Sequence, residues 1–119
     1  MAARQKVAQL YMQELDGVFD LPNVPENCVS AWAQFTMMAK DESQRNAIVE
    51  GMKAYDIPIM VYYALPMHMQ TAYKYLGYKE SDLPVCVDMS KRVFSVPMHP
   101  YLAESEIKDI CDKLKAIVN

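Results

Sequence analysis

A helical repeat near the C-terminal end of the chain constrains the fold more than any other feature. Its apolar residues follow the spacing i, i+3, i+4, i+7, and they are Ile107, Ile110, Cys111, Leu114, Ile117 and Val118. This spacing predicts an amphipathic helix with one buried face. A second repeat over residues 3–18 predicts another helix of the same kind, with Gly17 as a stop signal. Each buried face needs a partner layer, which the rest of the chain must supply.

Strand patterns occupy three other segments. Residues 29–37 alternate apolar and mixed positions, while residues 57–63 and 93–96 are short apolar runs bounded by prolines. Helical patterns lie between these strand segments. The first begins after Asp41, which forms a capping-box start with Gln44; the second covers residues 67–76, before Gly77; and the third covers residues 85–91. This alternation predicts an α+β fold, with helices covering a small, three-stranded, mainly antiparallel sheet.

The length predicts one domain. At 119 residues the chain is too short for two cores. We expect a single domain over residues 1–119, with a leading helix (residues 1–20), a proline-containing connector (21–27) and an α+β portion (28–119).

Charge and cysteine content exclude several classes of protein. Twelve basic and fifteen acidic residues give a net charge of -3, which argues against a nucleic-acid or anionic-membrane surface. No apolar run reaches the ~20 residues of a membrane helix. The three cysteines (Cys28, Cys86, Cys111) lack CxxC spacing, so we expect a reduced, cytoplasmic protein with its thiols in the core.

Methionine and tyrosine are abundant, at ten and eight residues. Soft thioethers and semi-polar rings suit a surface that meets a partner domain or a ligand. A methionine-rich core is the other interpretation, and composition alone favours it.

The residues that usually carry chemistry form no complete site. The only two histidines, His68 and His99, lack partners at metal-ligand spacing, and the serines lack a G-x-S-x-G elbow. The glycine count of three excludes a phosphate-cradling loop, and no lysine lies in an apolar setting. The sequence therefore predicts no catalytic, cofactor-binding or metal-binding residues in this chain.

Two polar clusters follow predicted strands, where a scaffold presents groups to ligands. The first, residues 61–70, contains Tyr62, Tyr63, His68 and Gln70; the second, residues 95–102, is a turn bracketed by prolines. In the alternative interpretation both tyrosines pack, His68 caps the next helix, and the second cluster is only a stiff connection.

The ordered series of motifs resembles the C-terminal part of the DegT/DnrJ/StrS family. Its pieces are Ser30–Thr36, Ile57–Tyr63, Pro66–Gln70, Ala72–Tyr73, Leu76–Tyr78 and Ser95–Leu102, and the resemblance runs from about Arg4 to Asn119. The family consists of nucleotide-sugar aminotransferases that depend on pyridoxal phosphate (PLP). Each piece alone is weak, whereas the order and spacing of the series are specific.

The resemblance implies the small C-terminal domain of a fold type I enzyme. In that family the large domain holds PLP, the Schiff-base lysine and the phosphate-binding groups. We therefore expect a fragment that binds no cofactor and is inactive alone, whose partners are the missing large domain and a nucleotide sugar. We also expect a homo-oligomer, and an exposed apolar face that includes the stripe of the first helix.

Residue by residue, the resemblance assigns substrate contacts to the first cluster. Tyr62 and Tyr63 would reach towards the sugar nucleotide, and His68 and Gln70 would line the same entrance. The sequence departs from the family at Ala64, where many members have proline, and at Ala103, where many have a helix-capping serine. A free-standing α+β module that binds a metabolite or a protein is the alternative to an aminotransferase domain.

Overall fold

Four α-helices and two β-strands make up the fold, in a computed structural model that describes all 119 residues. In chain order they are α1 (Ala2–Leu15), β1 (Phe35–Met38), α2 (Glu42–Lys53), α3 (Pro84–Arg92), β2 (Val93–Val96) and α4 (Glu104–Val118). Between α2 and α3 the chain forms three short 3-10 helices, Met67–Met69, Thr71–Leu76 and Glu80–Asp82. The segment predicted as one helix over residues 67–76 is thus two 3-10 helices.

The helix ends follow local signals in the sequence. The Asp41 side chain accepts a 2.8 Å hydrogen bond from the backbone N–H of Gln44, as the predicted N-cap requires. Gln44 in turn accepts one from the N–H of Lys40 at 2.9 Å. Gly77 ends the second 3-10 helix with a φ of 74°, a left-handed conformation that glycine adopts without steric cost.

The sheet contains two antiparallel strands. In the register, Phe35 pairs with Val96 and Met37 with Phe94 on the inner face. On the outer face Thr36 pairs with Ser95, and their hydroxyl oxygens lie 2.7 Å apart. This confirms the α+β class and the antiparallel pairing, with a sheet smaller than predicted.

The third strand predicted over residues 57–63 is reduced to one bridging residue. The N–H of Met60 donates to the carbonyl of Ser95 at 2.9 Å, and the N–H of Ser95 donates back at 2.8 Å. Pro58 has no N–H to extend the ladder, and the chain turns at Tyr62 and Tyr63. The sheet is therefore two-stranded, with Met60 at its edge.

The strand predicted over residues 29–37 is likewise shorter than expected. Trp32 has a φ of 49°, which lies outside the β region and interrupts the alternation before β1. Its indole N–H donates to the side chain of Gln5 at 2.9 Å and fixes this irregular segment on α1. Only the last residues of the pattern join the sheet.

The core lies between the inner face of the sheet and helices α1, α2 and α4. Its aromatic centre is Phe35, whose ring centroid lies 5.1 Å from that of Tyr11 and 5.5 Å from that of Trp32. The apolar stripe of α1 is buried here, including Tyr11 and Leu15. The prediction that this stripe is part of an exposed face is therefore wrong.

Methionines and cysteines divide between the core and the surface. Met37 and Met52 are buried, whereas Met60, Met67 and Met89 are exposed, so the core contains only part of the methionine content. Of the three free cysteines, only the one in α4 is buried; Cys28 and Cys86 are exposed. The expectation of core thiols is wrong for these two because neither lies on an inward-facing position.

Candidate functional site

A cavity of about 720 Å³ opens on the outer face of the sheet. Thr36 and Val93 belong to the sheet, the turn after Met60 forms one wall, and α3 with the residues before it forms the other. Its main apolar side chains are Leu65, Met67, Leu83, Val85 and Met89. We call this cavity the apolar groove.

The groove has few polar groups and one charge. Asp82 is the only ionised side chain that lines it, and no lysine, arginine or histidine does. The Asp82 carboxylate accepts a 2.7 Å hydrogen bond from the N–H of Lys79. The Ser90 hydroxyl donates to the carbonyl of Val87 at 2.8 Å. The polar groups available to an occupant are therefore chiefly Tyr63 and Gln70.

The two candidate tyrosines lie at the turn that follows Met60. Tyr63 is 72% exposed and lines the groove, while Tyr62 is 49% exposed and lies outside it, in a small adjoining crevice. Neither ring packs in the core, contrary to the alternative interpretation in which both tyrosines pack. The strand ends before Tyr62, so alternation between two faces of a sheet does not apply.

His68 and Gln70 lie on different sides of the same turn. Gln70 lines the groove, and its side-chain amide donates to the carbonyl of Leu65 at 3.4 Å. His68 is buried outside the groove, edge-on to the ring of Tyr78 with centroids 6.3 Å apart. It does not cap the next helix, which has no side-chain cap. The structure thus brings Tyr63 and Gln70 together and leaves Tyr62 and His68 outside.

One atom of His68 lacks a partner. Its Nε2 is buried and forms no hydrogen bond. A buried polar atom without a partner costs roughly 1–3 kcal/mol. The turn therefore holds an unsatisfied group close to the candidate residues.

The sequence pattern does not indicate that α3 forms a wall of the groove. The sequence predicts a helix over residues 85–91 and does not indicate what it faces. Val87 and Ser90 are the buried residues of α3, and Ser90 lines the groove together with Val85, Cys86 and Met89. The spacing of Val85 and Met89, one helical turn apart, was the available signal, since a short helix that is apolar on several sides needs more than one neighbour.

The second polar cluster is attached to the core, as expected for a stiff connection. The carbonyl of Pro97 accepts a hydrogen bond from the hydroxyl of Tyr11, and Met98 and Leu102 pack against the core. His99 is exposed, and its Nδ1 accepts from the N–H of Tyr101 at 3.3 Å. Nowhere do three His, Cys, Asp or Glu side chains gather as a metal site would require.

The ionisable groups with shifted pKa values lie in or beside the core. Burial raises the pKa of Tyr11 well above its usual range, and burial also raises the pKa of Cys111 to about 12. A thiol with a raised pKa is a poor nucleophile at neutral pH. These groups stabilise the fold and do not form a reactive centre.

Comparison with known proteins identifies the family. Residues 1–115 match the DegT/DnrJ/EryC1/StrS aminotransferase family, and the chain belongs to it. The UDP-2-acetamido-2-deoxy-3-oxo-D-glucuronate aminotransferase of Pseudomonas aeruginosa is 35% identical over 115 residues, which cover 96% of this chain and 30% of that enzyme. The resemblance found in the sequence is thereby confirmed.

Solved structures agree with this assignment. A DegT/DnrJ/EryC1/StrS aminotransferase from Brucella abortus superposes with a TM-score of 0.88 at 34% identity, over 100% of this chain and 31% of that one. NtdA from Bacillus subtilis with bound cofactor PMP shares the fold, with a TM-score of 0.80 at 21% identity. The superposition covers 98% of this chain and 28% of NtdA. The chain therefore spans about 30% of the length of its relatives. None of its helices combines the length and the apolarity needed to cross a membrane.

The side chains of the groove do not fit PLP. Family members depend on this cofactor, which needs a lysine for covalent attachment and cations or N–H groups for its phosphate. The groove offers neither a lysine nor an arginine, and Asp82 would repel a phosphate. No chemical step through PLP can be derived from these residues, and the expectation that the chain alone binds none stays a prediction.

Proposed function

We propose that this chain is the C-terminal domain of a PLP-dependent aminotransferase that transfers an amino group, from glutamate, to a keto-sugar nucleotide. The observation that carries the proposal is the family match over residues 1–115 together with the 30% coverage of the P. aeruginosa enzyme. PLP and its lysine would then be supplied by the part of the enzyme that precedes this region. The chain would close the active-site cleft and act in the cytoplasm as part of a homo-oligomer.

Within that enzyme, Tyr62 and Tyr63 are proposed to contact the nucleotide sugar. Both rings are exposed at a turn whose start is hydrogen-bonded to β2 through Met60, so a stable element positions them. A phenol hydroxyl can donate to a diphosphate or sugar oxygen, and the ring face can lie against a sugar. The same proposal assigns His68 and Gln70 to the entrance, where the unpartnered Nε2 of His68 would gain a partner.

A fusion protein tests this function. The region of the P. aeruginosa enzyme that precedes its match would be joined to residues 1–119, and transamination of its UDP-linked keto-sugar would be measured with glutamate as donor. We expect turnover by the fusion and none by the 119-residue chain with PLP and glutamate. Turnover by the chain alone, or a stable fusion that binds PLP and has no activity, would contradict the proposal.

The tyrosines are tested in the same fusion. Tyr62→Phe and Tyr63→Phe should each raise KM for the keto-sugar about tenfold, the value of roughly one hydrogen bond. Tyr75→Phe is the control, since Tyr75 is 80% exposed on the second 3-10 helix and is assigned no contact. Unchanged KM values in both variants would remove the tyrosines from the substrate site.

The alternative function, a free-standing binding module, is favoured by one observation, the open groove. The gene distinguishes the two. A reading frame that continues upstream of Met1 and encodes a lysine-containing cofactor site supports the aminotransferase, whereas an independent start supports the module.

A further inference from the structure

The groove is surrounded by exposed apolar side chains. Six large residues on its walls are between 42% and 72% exposed, and they are Tyr63, Leu65, Met67, Leu83, Val85 and Met89. They come from two separate segments, the turn after Met60 and the start of α3, which converge above Thr36 and Val93 of the sheet. Contiguous exposed apolar surface of this kind marks a place that another surface covers.

The charges of the groove argue against a nucleotide as that occupant. A diphosphate is bound by cations or by backbone N–H groups at a helix N-terminus. Asp82 lies at the groove, two residues before α3 begins at Pro84, and no cation lines the walls. The apolar side chains of a protein segment, by contrast, have no hydrogen bonds to lose on entering and can pack against the flexible side chains of Met67 and Met89.

We propose that the apolar groove is a docking surface for an apolar segment of the longer aminotransferase polypeptide, from outside the region that this chain matches. The inference rests on the proposed function, and the length of the relatives supports it, since 30% of the P. aeruginosa enzyme corresponds to this chain. The docking segment carries aliphatic or aromatic side chains, with a lysine or arginine facing Asp82. Gln70 and Tyr63, which both line the groove, then lie at the boundary between the docked segment and the substrate entrance.

Cys86 provides a reporter inside the groove. Its thiol is exposed and lines the groove, Cys28 is exposed elsewhere, and Cys111 is buried. The rate of maleimide labelling at each cysteine would be measured by mass spectrometry, in the 119-residue chain at low micromolar concentration and in the fusion described above. We expect labelling of Cys86 to slow at least tenfold in the fusion, while the chain alone labels rapidly.

A charge placed in the groove provides the matched variant. Val85→Lys puts an ammonium group among the apolar walls, while Val29→Lys makes the same change at a position that is equally exposed and outside the groove. In the fusion, Val85→Lys should restore rapid labelling of Cys86, and Val29→Lys should not. Circular dichroism of each variant checks that the chain remains folded.

Three results would overturn the docking surface. The first is equal labelling of Cys86 in the chain and in a fusion that binds PLP. The second is protection that disappears when the fusion is diluted to a monomer, which assigns the groove to a second copy. The third is protection of Cys86 in the chain alone by UDP-N-acetylglucosamine, which assigns it to the sugar nucleotide. A fusion that protects Cys86 without catalysing transamination refutes the proposed function and leaves the docking surface intact.

Discussion

The hydroxyl of Tyr11 donates a 2.9 Å hydrogen bond to the carbonyl oxygen of Pro97, 86 residues away. The bond joins α1 to the connection that follows β2, and it satisfies a buried phenol that also packs on Phe35. Helix α1 is thereby attached to the sheet by a polar contact as well as by the core.

Removing this hydroxyl should destabilise the protein. Tyr11→Phe keeps the ring and leaves the Pro97 carbonyl without its partner, which should lower the free energy of unfolding by about 1–2 kcal/mol. Urea unfolding followed by circular dichroism measures the change. Tyr75→Phe, at a side chain that is 80% exposed, should cost nothing measurable. Equal stabilities for Tyr11→Phe and the wild type would show that water replaces the bond.

Stability should fall in alkaline solution because of Cys111 and Tyr11. Burial raises the pKa of Cys111 from 9.0 to about 12 and raises that of Tyr11 from its usual value of 10.0. Below pH 9 both groups are protonated in the folded and unfolded states, so the stability is complete. Above pH 9 for Cys111, and above pH 10 for Tyr11, only the unfolded chain releases the proton, and the free energy of unfolding decreases by up to about 1.4 kcal/mol per pH unit for each group.

Cys111→Ala removes the thiol and its effect on the pKa values of Tyr11 and Lys115. Its absolute stability will be lower because of the cavity, but its decline between pH 9 and 11 should be shallower than that of the wild type. Cys28→Ala, at an exposed thiol, should keep the wild-type slope. The pKa of Lys115 is raised chiefly by the hydrogen bond it donates to Glu14 and also by the charge of Cys111, so the decline that Lys115 adds is smaller in Cys111→Ala than in the other two proteins. Parallel pH profiles for Cys111→Ala and the wild type would refute the role of burial.

Gly51 allows α2 and α4 to approach closely. A Cβ atom at this position would lie 2.8 Å from Cδ1 of Ile117. Alanine in a helix is favoured over glycine by about 1 kcal/mol, and Gly51→Ala should fail to gain this stability because Ile117 must move. In an Ile117→Ala background the same substitution should gain about 1 kcal/mol. Urea unfolding of the wild type, the two single variants and the double variant gives the coupling free energy between positions 51 and 117. Additive changes in the free energy of unfolding would contradict the contact.

A serine at position 103 should complete the cap of α4. Glu106 already accepts a 2.7 Å hydrogen bond from the N–H of Ala103, which is one half of a capping box, and alanine has no oxygen to provide the other half. Ala103→Ser should therefore stabilise the protein by about 1 kcal/mol. Ala116→Ser, the same substitution inside α4, should be slightly destabilising. A gain of similar size in both variants would mean that the cap is not its source.

Helix α4 and the cap at Asp41 could be predicted because their signals are local. The periodicity of α4 and the Asp41–Gln44 spacing each involve residues within a few turns of one another. The strand lengths could not be predicted, since Trp32 has a positive φ and lies in a segment that is hydrogen-bonded to Gln5, 27 residues away. Alternation along residues 29–37 contained no sign of that contact.

In the candidate site, too, local features could be predicted from the sequence and long-range contacts could not. The sequence indicated the turn that carries Tyr62 and Tyr63, because two tyrosines precede a proline at the end of an apolar run. It gave no sign that α3 faces this turn, since the approach of Val85 to Tyr63 across the groove is a tertiary relationship. The sequence also gave no sign that His68 is buried, because its ring lies against Tyr78, which follows the second 3-10 helix.

No residue separates α3 from β2, which begins at Val93 directly after Arg92. Arg92 is anchored by hydrogen bonds to the Ala39 carbonyl at 2.8 Å and to Asp88 at 2.9 Å. β2 in turn holds Met60, two residues before the first tyrosine. The wall of the groove and the tyrosine turn are therefore connected through β2 with no flexible loop between α3 and β2. A displacement of α3 would move the two tyrosines with it.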